Sequence, residues 1–268
     1  MDKSILVTGA TGTLGRAVVE RLRGAGRAAR LLSRRPRRAG DAGTAEWVTG
    51  DLKTGAGLDA AVAGIDVILH CADDTRSRTD AGMAVTPRLL PAAVRAGTPH
   101  LVYISIVGVD RVPLGYYRAK LADERLIRES GLPHTIQRVT QFHDLVRVIL
   151  AGSAKLPVMF VPRLRFQSVD VRDVAARLVE LADAAPAGRA ADLGGPQVLP
   201  ARDLALTYLS ATGRRRPVLA VPLPGTVFRA YREGANLAPD NAVDGITFEQ
   251  YLAGYPNATS ISYQAKQQ

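Results

Sequence analysis

The chain has 268 residues, 47% of them hydrophobic, enough for the core of one large α/β domain or of a domain with a smaller lobe. No stretch approaches the roughly 18 uncharged apolar residues of a membrane span. The net charge of +10 would suit a polyanionic partner, but only 5% of the residues are aromatic and the arginines are scattered. The composition therefore argues against a nucleic-acid-binding protein.

The start of the chain and its single cysteine indicate where it works. MDKSILVTGATGTLG runs directly into a strand and a glycine turn without the features of a signal peptide, so we expect a cytoplasmic protein. Cys71 is the single cysteine, which excludes an internal disulfide framework and a cysteine-based metal cluster. It lies in the apolar run DVILHCA, where we expect a buried structural thiol. No spacing of His, Cys or carboxylate residues indicates a metal site.

The N-terminal half of the chain, up to Thr140, alternates short apolar runs with segments of helical spacing. Six runs are predicted strands, at residues 4–9, 29–33, 45–50, 66–72, 100–108 and 134–139. The predicted helices between them lie at 14–26, 57–64, 85–97 and 117–131. Near-continuously apolar strands that alternate with helices predict an α/β fold, a doubly wound parallel sheet covered on both faces.

After residue 140 the pattern loosens. The predicted elements are strands near 158–161 and 165–169, a helix at 171–184, a strand-like piece at 190–195 and a helix at 201–212. We expect residues 141–268 to form a smaller C-terminal lobe, partly interleaved with the sheet that residues 1–140 supply.

A glycine-rich turn follows the first predicted strand. Gly9, Gly12 and Gly15 form the pattern GxxGxxG, which directly follows the strand and opens a helix. Glycine suits positions with unusual backbone angles and positions where a side chain would block a pyrophosphate, while the helix N-terminus attracts the anion. This context predicts that the turn binds a dinucleotide.

The end of the second predicted strand indicates which nicotinamide dinucleotide binds. An acidic residue at this place binds the free ribose hydroxyls of NAD(H). Here Ser33 stands at that place, and Arg34 and Arg35 follow it. Guanidinium groups pair well with phosphate, so the sequence predicts NADP(H). We expect Arg37 and Arg38 to belong to a solvated basic loop.

Three aspartates follow predicted strands. Asp51, in TGDLK, either caps a helix N-terminus or lies beside the adenine, and the sequence leaves both interpretations open. Asp170 and Asp173, in VDVRDVA, are predicted to cap the helix that follows them rather than to act as acid or base catalysts.

Ordered motifs along nearly the whole chain resemble the NmrA-like, atypical short-chain dehydrogenase/reductase (SDR) family. They are TGATGTLG, GDL, YISIVGVD, YYRAKLADERLIRESGLPHTIQRVTQFHD, FQSVDVRDVA and LGGPQVLPARDLALTYLSATGRR, and the resemblance ends near GITFEQYLAG. It implies a Rossmann-type NADP(H)-binding domain at residues 1–140. It also implies that residues 141–268 form a substrate-binding lobe that roofs the nicotinamide pocket.

The resemblance also implies a set of cofactor contacts. The positions that match the pyrophosphate turn are Gly9, Thr11, Gly12, Thr13, Leu14 and Gly15. The other contacts run from the 2′-phosphate to the nicotinamide: Arg34 and Arg35 at the phosphate, Asp51 and Leu52 at the adenine, Cys71 and Ala72 at the ribose region, Lys120 at the nicotinamide ribose, and Val139, Thr140 and Phe142 at the nicotinamide.

The stretch GYYRAK contains the candidate catalytic residues. A tyrosine can give a proton to a carbonyl oxygen when a nearby ammonium lowers its pKa and a hydroxyl holds the substrate. On a helix Tyr116 lies about 40° to one side of Lys120 and Tyr117 about 60° to the other, so spacing leaves the donor open. Ser105 stands where short-chain dehydrogenases place their serine, but its gap to Tyr116 is slightly shorter than in compact members of that superfamily. NmrA-like members often keep the lysine without the tyrosine, so neither tyrosine need be the donor.

Further candidates for the substrate pocket are Tyr117, His143, Phe160 and Gln167. His143 either contacts substrate or is a satisfied histidine at a helix start. Phe160, Gln167 and Phe142 either line the pocket or pack in the core.

Together these features predict an NADPH-dependent oxidoreductase that reduces a small aromatic or cyclic carbonyl or quinone in bacterial secondary metabolism. We expect a monomer or homodimer that uses a small-molecule substrate and has no nucleic-acid or membrane partner. Two alternatives stay open. One is a non-catalytic NADP(H)-sensing regulator, and the other is an isomerase or lyase that recycles its cofactor.

Overall fold

A computed structural model of the chain describes residues 3–35, 45–73 and 86–255. The chain forms two compact units, each built from several segments. Unit 1 comprises residues 1–105, 114–138 and 174–191, and unit 2 comprises residues 106–113, 139–173 and 192–268. The chain beyond residue 140 thus returns once to unit 1, and the substrate-binding role of the later residues stays a prediction.

The described elements follow one another in this order. The strands are β1 (Ile5–Thr8), β2 (Arg30–Ser33), β3 (Glu46–Thr49), β4 (Val67–His70), β5 (His100–Ile106), β6 (His134–Val139), β7 (Met159–Pro162), β8 (Arg165–Phe166), β9 (Gly188–Arg189), β10 (Leu199–Pro200) and β11 (Val218–Val221). The α-helices are α1 (Thr13–Gly24), α2 (Leu58–Val62), α3 (Leu89–Arg95), α4 (Gly115–Glu129), α5 (His143–Ser153), α6 (Val171–Asp183), α7 (Ala201–Ala211), α8 (Thr226–Arg232) and α9 (Phe248–Ala253).

The large sheet has seven strands in the order β3-β2-β1-β4-β5-β6-β9. The chain runs outward from β1 to β3 and then returns to β4 beside β1, and β1 pairs in parallel with both β2 and β4. This reversal defines a doubly wound sheet, in which ligands bind outside the carboxyl ends of the strands at the switch point. The predicted fold class is confirmed, and so are all six strands predicted in the N-terminal half of the chain.

The core of unit 1 lies between these strands and their helices. Leu6, Ile68 and Leu101, from three neighbouring strands, are fully buried and pack with residues of α2 and α3. Burying each such side chain contributes about 1.5–3 kcal/mol. Helix α4 differs, because its buried face carries the polar residues Lys120 and Glu124 together with Ile127. A buried polar face on a helix needs partners for its charges, which directs attention to this helix.

Unit 2 has a separate core formed by α5, α7, α9 and β7. Strand β7 pairs in parallel with β11, and β8 pairs antiparallel with β10. The predicted strand at 190–195 is wrong. Only Leu193 and Gly194 form single bridges there, and the strand that joins the large sheet is β9. Elements α5, α8, α9, β10 and β11 are additions to the predicted pattern.

Across the described ranges, no helix combines the length and apolar character needed to cross a membrane. In the same part of the chain, no group of three or more His, Cys, Asp or Glu side chains could hold a metal ion.

Candidate functional site

The turn after β1 has no room for a side chain at Gly9 or at Gly15. Gly9 has φ 68°, and a Cβ built there would lie 2.6 Å from the Ala72 main chain. A Cβ on Gly15 would lie 2.1 Å from the Gly9 carbonyl oxygen, so the start of α1 packs directly on the turn. The Gly12 N–H donates to the Gly9 carbonyl at 2.8 Å and closes the turn. The local structure therefore requires glycine at positions 9 and 15.

The N-terminus of α1 suits an anion. Its N-cap residue is Gly12, which has no side chain to accept from the first-turn N–H groups, and the first turn contains no acidic residue. A helix N-terminus carries a partial positive charge and presents N–H groups. Together with the close-packed glycines, it fits the pyrophosphate of a dinucleotide.

The ends of β2 and β3 carry the predicted 2′-phosphate and adenine contacts. Arg34 and Arg35 are exposed just after β2, where the Ser33 hydroxyl accepts from the Arg35 N–H at 3.2 Å. After β3, the Asp51 carboxylate accepts from the Lys53 N–H at 2.8 Å. Asp51 closes a turn and caps no helix, since the N-cap of α2 is Gly57. The adenine role stays a prediction. Leu52 packs on the core, and Arg37 and Arg38 lie outside the described residues.

The end of β4 carries the predicted ribose contacts. The Thr8 hydroxyl oxygen accepts from the Ala72 N–H at 3.3 Å and lies 2.6 Å from His70 Nδ1, which fixes β4 beside β1. Cys71 is half-buried rather than buried, since β4 ends just before it. Desolvation raises the pKa of its thiol to about 12, so the thiol is protonated at neutral pH.

Lys120 carries a buried ammonium on the inner face of α4. The side chain is 6% exposed, and Nζ donates to the Ile104 carbonyl at 3.0 Å. Nζ also lies 4.5 Å from the centre of the Tyr103 ring, within cation–π range. The Asp73 carboxylate lies 3.8 Å away and balances the charge. Main-chain, aromatic and acidic groups thus hold the ammonium at the carboxyl ends of β4 and β5.

Asp73 also accepts a hydrogen bond from the phenol of Tyr116. Tyr116 is half-buried, whereas Tyr117 is 5% exposed and belongs to the buried face of α4. The structure therefore places Tyr116 and Lys120 on one carboxylate. Sequence reasoning missed Asp73. The signal was its position immediately after a predicted strand in HCADD, at the end of the sheet where ligands bind.

Ser105 lies in a buried network. It is 1% exposed, and its hydroxyl donates to Glu124 Oε1 at 2.6 Å. The same Glu124 carboxylate accepts from Arg138 Nε at 2.8 Å and from a terminal nitrogen of that guanidinium at 2.7 Å. The Ser105 proton is thus committed to a buried carboxylate, and its role as a substrate-holding hydroxyl stays a prediction. Glu124 and Arg138 were not anticipated.

The predicted nicotinamide neighbours all lie in unit 2. Val139 and Thr140 are 3% and 2% exposed, and the Thr140 hydroxyl accepts from the Gly195 N–H at 3.1 Å. Phe142 is half-buried, forms a bridge with Val169 and precedes α5. Their contact with a cofactor stays a prediction.

Two predicted pocket residues of unit 2 serve the core instead. His143 is 1% exposed, its Nδ1 lies 2.9 Å from the Ser168 hydroxyl, and its Nε2 lies 2.8 Å from the Ile246 carbonyl. Both ring nitrogens of His143 thus have protein partners, which agrees with the interpretation as a satisfied histidine at a helix start. Burial lowers the pKa of its imidazole. Gln167 is fully buried and joins Gly195 to Ala238 through three hydrogen bonds, so the pocket-wall interpretation is wrong for it.

The remaining candidates are more exposed or act as caps. Phe160 is 48% exposed on β7, so the core-packing interpretation does not apply to its side chain. Asp170 accepts from the Arg172 N–H at 2.8 Å at the start of α6, as predicted for a cap. Asp173 instead accepts from the Ile246 N–H at 2.9 Å and holds the loop before α9.

The sequence of the chain is similar to those of a known family and of several known proteins. Residues 9–185 match the family described as NAD(P)H-binding. The (4-alkanoyl-5-oxo-2,5-dihydrofuran-3-yl)methyl phosphate reductase of Streptomyces griseus subsp. griseus is 34% identical over 216 residues, 78% of this chain and 74% of that protein. Quinone oxidoreductase 2 of Escherichia coli strain K12 is 29% identical over 141 residues, 50% of this chain and 47% of that protein.

A solved structure of an NADPH-dependent quinone oxidoreductase from Escherichia coli shares the fold. Its TM-score is 0.77 at 19% identity, and the alignment covers 93% of this chain and 98% of that one. The chain belongs to the NAD(P)H-binding family, and it has a Rossmann fold.

Proposed function

We propose that the protein is an NADPH-dependent reductase of a small cyclic carbonyl compound, either a quinone or an oxo-substituted ring. The observation that carries the proposal is the group formed by Lys120, Asp73 and Tyr116 at the carboxyl ends of β4 and β5. The Streptomyces relative is a reductase of a 5-oxo-2,5-dihydrofuran that carries an alkanoyl and a phosphate-bearing group, and an Escherichia coli relative is a quinone oxidoreductase. Both names describe the reduction of a ring compound that carries a carbonyl group.

The preference for NADPH rests on Arg34 and Arg35. Both are exposed just after β2, with Ser33 where an acid would select NAD(H). We expect Arg34→Ala and Arg35→Ala each to weaken NADPH binding about tenfold and to change NADH binding less than about twofold. Arg21→Ala, at the exposed end of α1, is the control and leaves both affinities unchanged. Calorimetric titration measures them, and equal losses for NADH would contradict the assignment.

The pyrophosphate site can be tested within α1 alone. Gly15→Ala places a methyl group 2.1 Å from the Gly9 carbonyl oxygen, whereas a Cβ on Gly24 in the same helix meets no atom within 4 Å. We expect Gly15→Ala to lose about 100-fold or more in NADPH affinity, because the turn must move away from the helix start. Gly24→Ala keeps full affinity. Equal binding by both variants would show that the dinucleotide binds elsewhere.

Tyr116 is the proton donor that the contacts favour. When bound, the dinucleotide supplies the hydride, and the chain must supply a proton to the substrate oxygen. The Tyr116 phenol is half-buried and lies on the carboxylate that Lys120 also approaches, whereas Tyr117 is buried in α4. To donate to substrate, Tyr116 exchanges its Asp73 acceptor for the substrate oxygen. The Lys120 ammonium then stabilises the negative charge left on the phenol oxygen.

The deciding experiment measures NADPH oxidation against a panel of quinones and cyclic ketones. We expect Tyr116→Phe to lose between about 100-fold and 10,000-fold in kcat while it binds NADPH normally. Tyr117→Phe is the matched control and loses less than about threefold. Lys120→Met should lose kcat and also weaken NADPH binding.

Three outcomes would contradict parts of this proposal. NADPH binding without oxidation of any panel member would favour the NADP(H)-sensing regulator. Substrate turnover without net NADPH consumption would favour the isomerase or lyase. Full activity of both tyrosine variants would leave water or substrate as the proton source.

A further inference from the structure

Gln141 carries a buried amide that forms no hydrogen bond within the part of the chain that the structure describes. The residue is 8% exposed, and among the described residues neither its Nε2 nor its Oε1 has a partner. An amide that loses water without gaining a partner costs free energy on folding. Such a group in a folded protein needs an explanation, and a ligand that supplies the missing partners is one.

The main chain around Gln141 is fixed. Its carbonyl accepts from the Val169 N–H at 2.9 Å. The preceding residue, Thr140, donates its N–H to the Leu193 carbonyl at 3.0 Å, and the following residue, Phe142, forms a bridge with Val169. With the backbone held on both sides, a shift of the chain that would bring the amide to a protein partner breaks ladder hydrogen bonds.

The two other buried glutamines of the described ranges behave differently. Gln137 donates to the carbonyls of Arg138 and Ala191 at 3.0 and 2.7 Å, and Gln167 makes three hydrogen bonds. Both are fully buried. The fold thus satisfies a buried amide where the amide serves structure, and Gln141 is the exception among the three.

The position of Gln141 suits a substrate contact. It stands two residues beyond β6, a strand of the large sheet, and ligands of open α/β sheets bind outside the carboxyl ends of their strands. A primary amide presents an acceptor oxygen and an N–H donor on one edge. Its complement is a carbonyl oxygen with an O–H or N–H group on the neighbouring atom.

We infer that Gln141 is a specificity-determining residue that binds a cyclic carbonyl substrate through the carbonyl oxygen and a hydroxyl or N–H group on the adjacent ring atom. The inference rests on the proposed reductase function and narrows its substrate class. The nicotinamide carboxamide of the cofactor has the same hydrogen-bonding chemistry, so the test separates the cofactor from the substrate.

The test compares Gln141→Met with Gln167→Met, two substitutions of a buried amide by an apolar chain of similar shape. The probes are aminonaphthoquinone, which is uncharged at neutral pH and carries its amino group on the ring atom next to a carbonyl, and the parent naphthoquinone. Calorimetric titration with NADP⁺ present measures the binding of each probe, so the result does not depend on turnover. If wild type binds aminonaphthoquinone but reduces no quinone, the proposed function fails while the role of Gln141 is still measured.

We expect Gln141→Met to weaken aminonaphthoquinone binding about 30-fold, since two hydrogen bonds are lost. Binding of the parent naphthoquinone and of NADPH should change less than about threefold. The Tm of Gln141→Met should rise by about 2 °C or more, because two unpaired polar atoms leave the interior, whereas Gln167→Met should lower Tm by about 4 °C or more.

Three results would overturn the inference. They are equal loss of affinity for both quinones, weaker NADPH binding by Gln141→Met, which would assign the amide to the cofactor, and a fall in Tm like that of Gln167→Met. A Gln141→Glu variant keeps an acceptor and loses the N–H donors. It should therefore bind aminonaphthoquinone more weakly than wild type, and a wild-type affinity would likewise contradict the inference.

Discussion

Two ion pairs of unit 1 have nearly the same shortest N···O distance in opposite surroundings. Arg138 and Glu124 lie 2.7 Å apart with side chains 5% and 0% exposed, whereas Arg95 and Asp59 lie 2.6 Å apart with side chains 62% and 74% exposed. The N···O distance therefore says little about how much each ion pair contributes to stability. A buried charge depends wholly on its partner, whereas an exposed one keeps its water.

The same contrast distinguishes two carboxylates near the buried face of α4, one with a structural role and one that belongs to the candidate site. Glu124 is 0% exposed and accepts three hydrogen bonds from Arg138 and Ser105, so a ligand does not reach its carboxylate. Asp73, by contrast, is 28% exposed and lies 3.8 Å from the Lys120 ammonium. The Glu124 network holds the end of β5 in place, whereas the Asp73 network is the one that exchanges partners in the function proposed above.

The largest effect should come from breaking the buried pair. Arg138→Met leaves the Glu124 carboxylate uncompensated in the interior and should lower the free energy of unfolding by about 3–5 kcal/mol. Urea denaturation measures it. The double variant Arg138→Met with Glu124→Met should recover part of the loss, because no unpaired charge then remains. A loss below about 1 kcal/mol for the single variant would contradict the argument.

The interior of unit 1 should also disfavour a single charge that has no counter-charge. His70 provides a test of this expectation. It lies between the hydroxyls of Thr8 and Thr86, at 2.6 and 3.2 Å, and burial with the nearby Lys120 charge lowers its pKa from 6.5 to about 3. The pKa of His70 is lower in the folded state than in the unfolded state. The contribution of the neutral imidazole to the free energy of unfolding is therefore complete above pH 6.5 and is lost as the pH falls toward 3.

Between pH 6.5 and pH 4.5 wild type should therefore lose about 2–3 kcal/mol relative to His70→Asn, which has no imidazole to protonate. Urea denaturation of both proteins across this range gives the difference and removes the contributions that they share. A difference that does not change with pH would show that His70 is accessible to water or is charged in the fold.

Removing the hydroxyl of the buried network should have a smaller effect. Ser105→Ala deletes one hydrogen bond to the Glu124 carboxylate and should cost about 1–2 kcal/mol, because the two bonds from Arg138 remain. Thermal unfolding measures the cost, and NADPH oxidation by the same variant tests its catalytic role. We expect a modest loss of rate. A loss as large as that of Tyr116→Phe would restore Ser105 as a catalytic residue.

The exposed pair should show the smallest effect. Asp59→Asn keeps the shape of the side chain, removes its charge and should change stability by less than about 1 kcal/mol. The change should shrink further in high salt, since screening weakens surface pairs. Urea denaturation at two salt concentrations checks this, and a change comparable to Arg138→Met would remove the distinction between the two pairs.

Most of the sheet could be predicted because its signals are local. Each of the six strands predicted in the N-terminal half is a short apolar run bounded by turn residues, and the structure confirms each with its ends shifted only slightly. Unit 2 was harder. Helix α5 exposes Leu145 and Ile149, which blurs its apolar stripe, and β11 is a four-residue strand preceded by Pro217. Short elements with mixed faces give no clear period.

The site residues likewise divide into those that depend on nearby residues in the sequence and those that depend on distant ones. The turn glycines could be predicted because the positive φ of Gly9 and the close approach of Gly15 to the Gly9 carbonyl arise within a few residues of one another. Partners at long range could not. Gln167 bonds Ala238, 71 positions away, and His143 bonds the Ile246 carbonyl, 103 positions away. No sequence pattern shows whether such a polar side chain meets a partner or a ligand.

The sequence by itself determined the doubly wound sheet, the dinucleotide turn and the lysine of α4, because periodicity, glycine conformation and strand-end position act over short stretches. Only the tertiary structure decided that Ser105 serves the Arg138–Glu124 pair, that Asp73 joins Tyr116 to Lys120, and that the Gln141 amide is buried without a protein partner among the described residues. The reason is physical. The cost of burying a polar group depends on what the rest of the chain brings within about 3 Å of it.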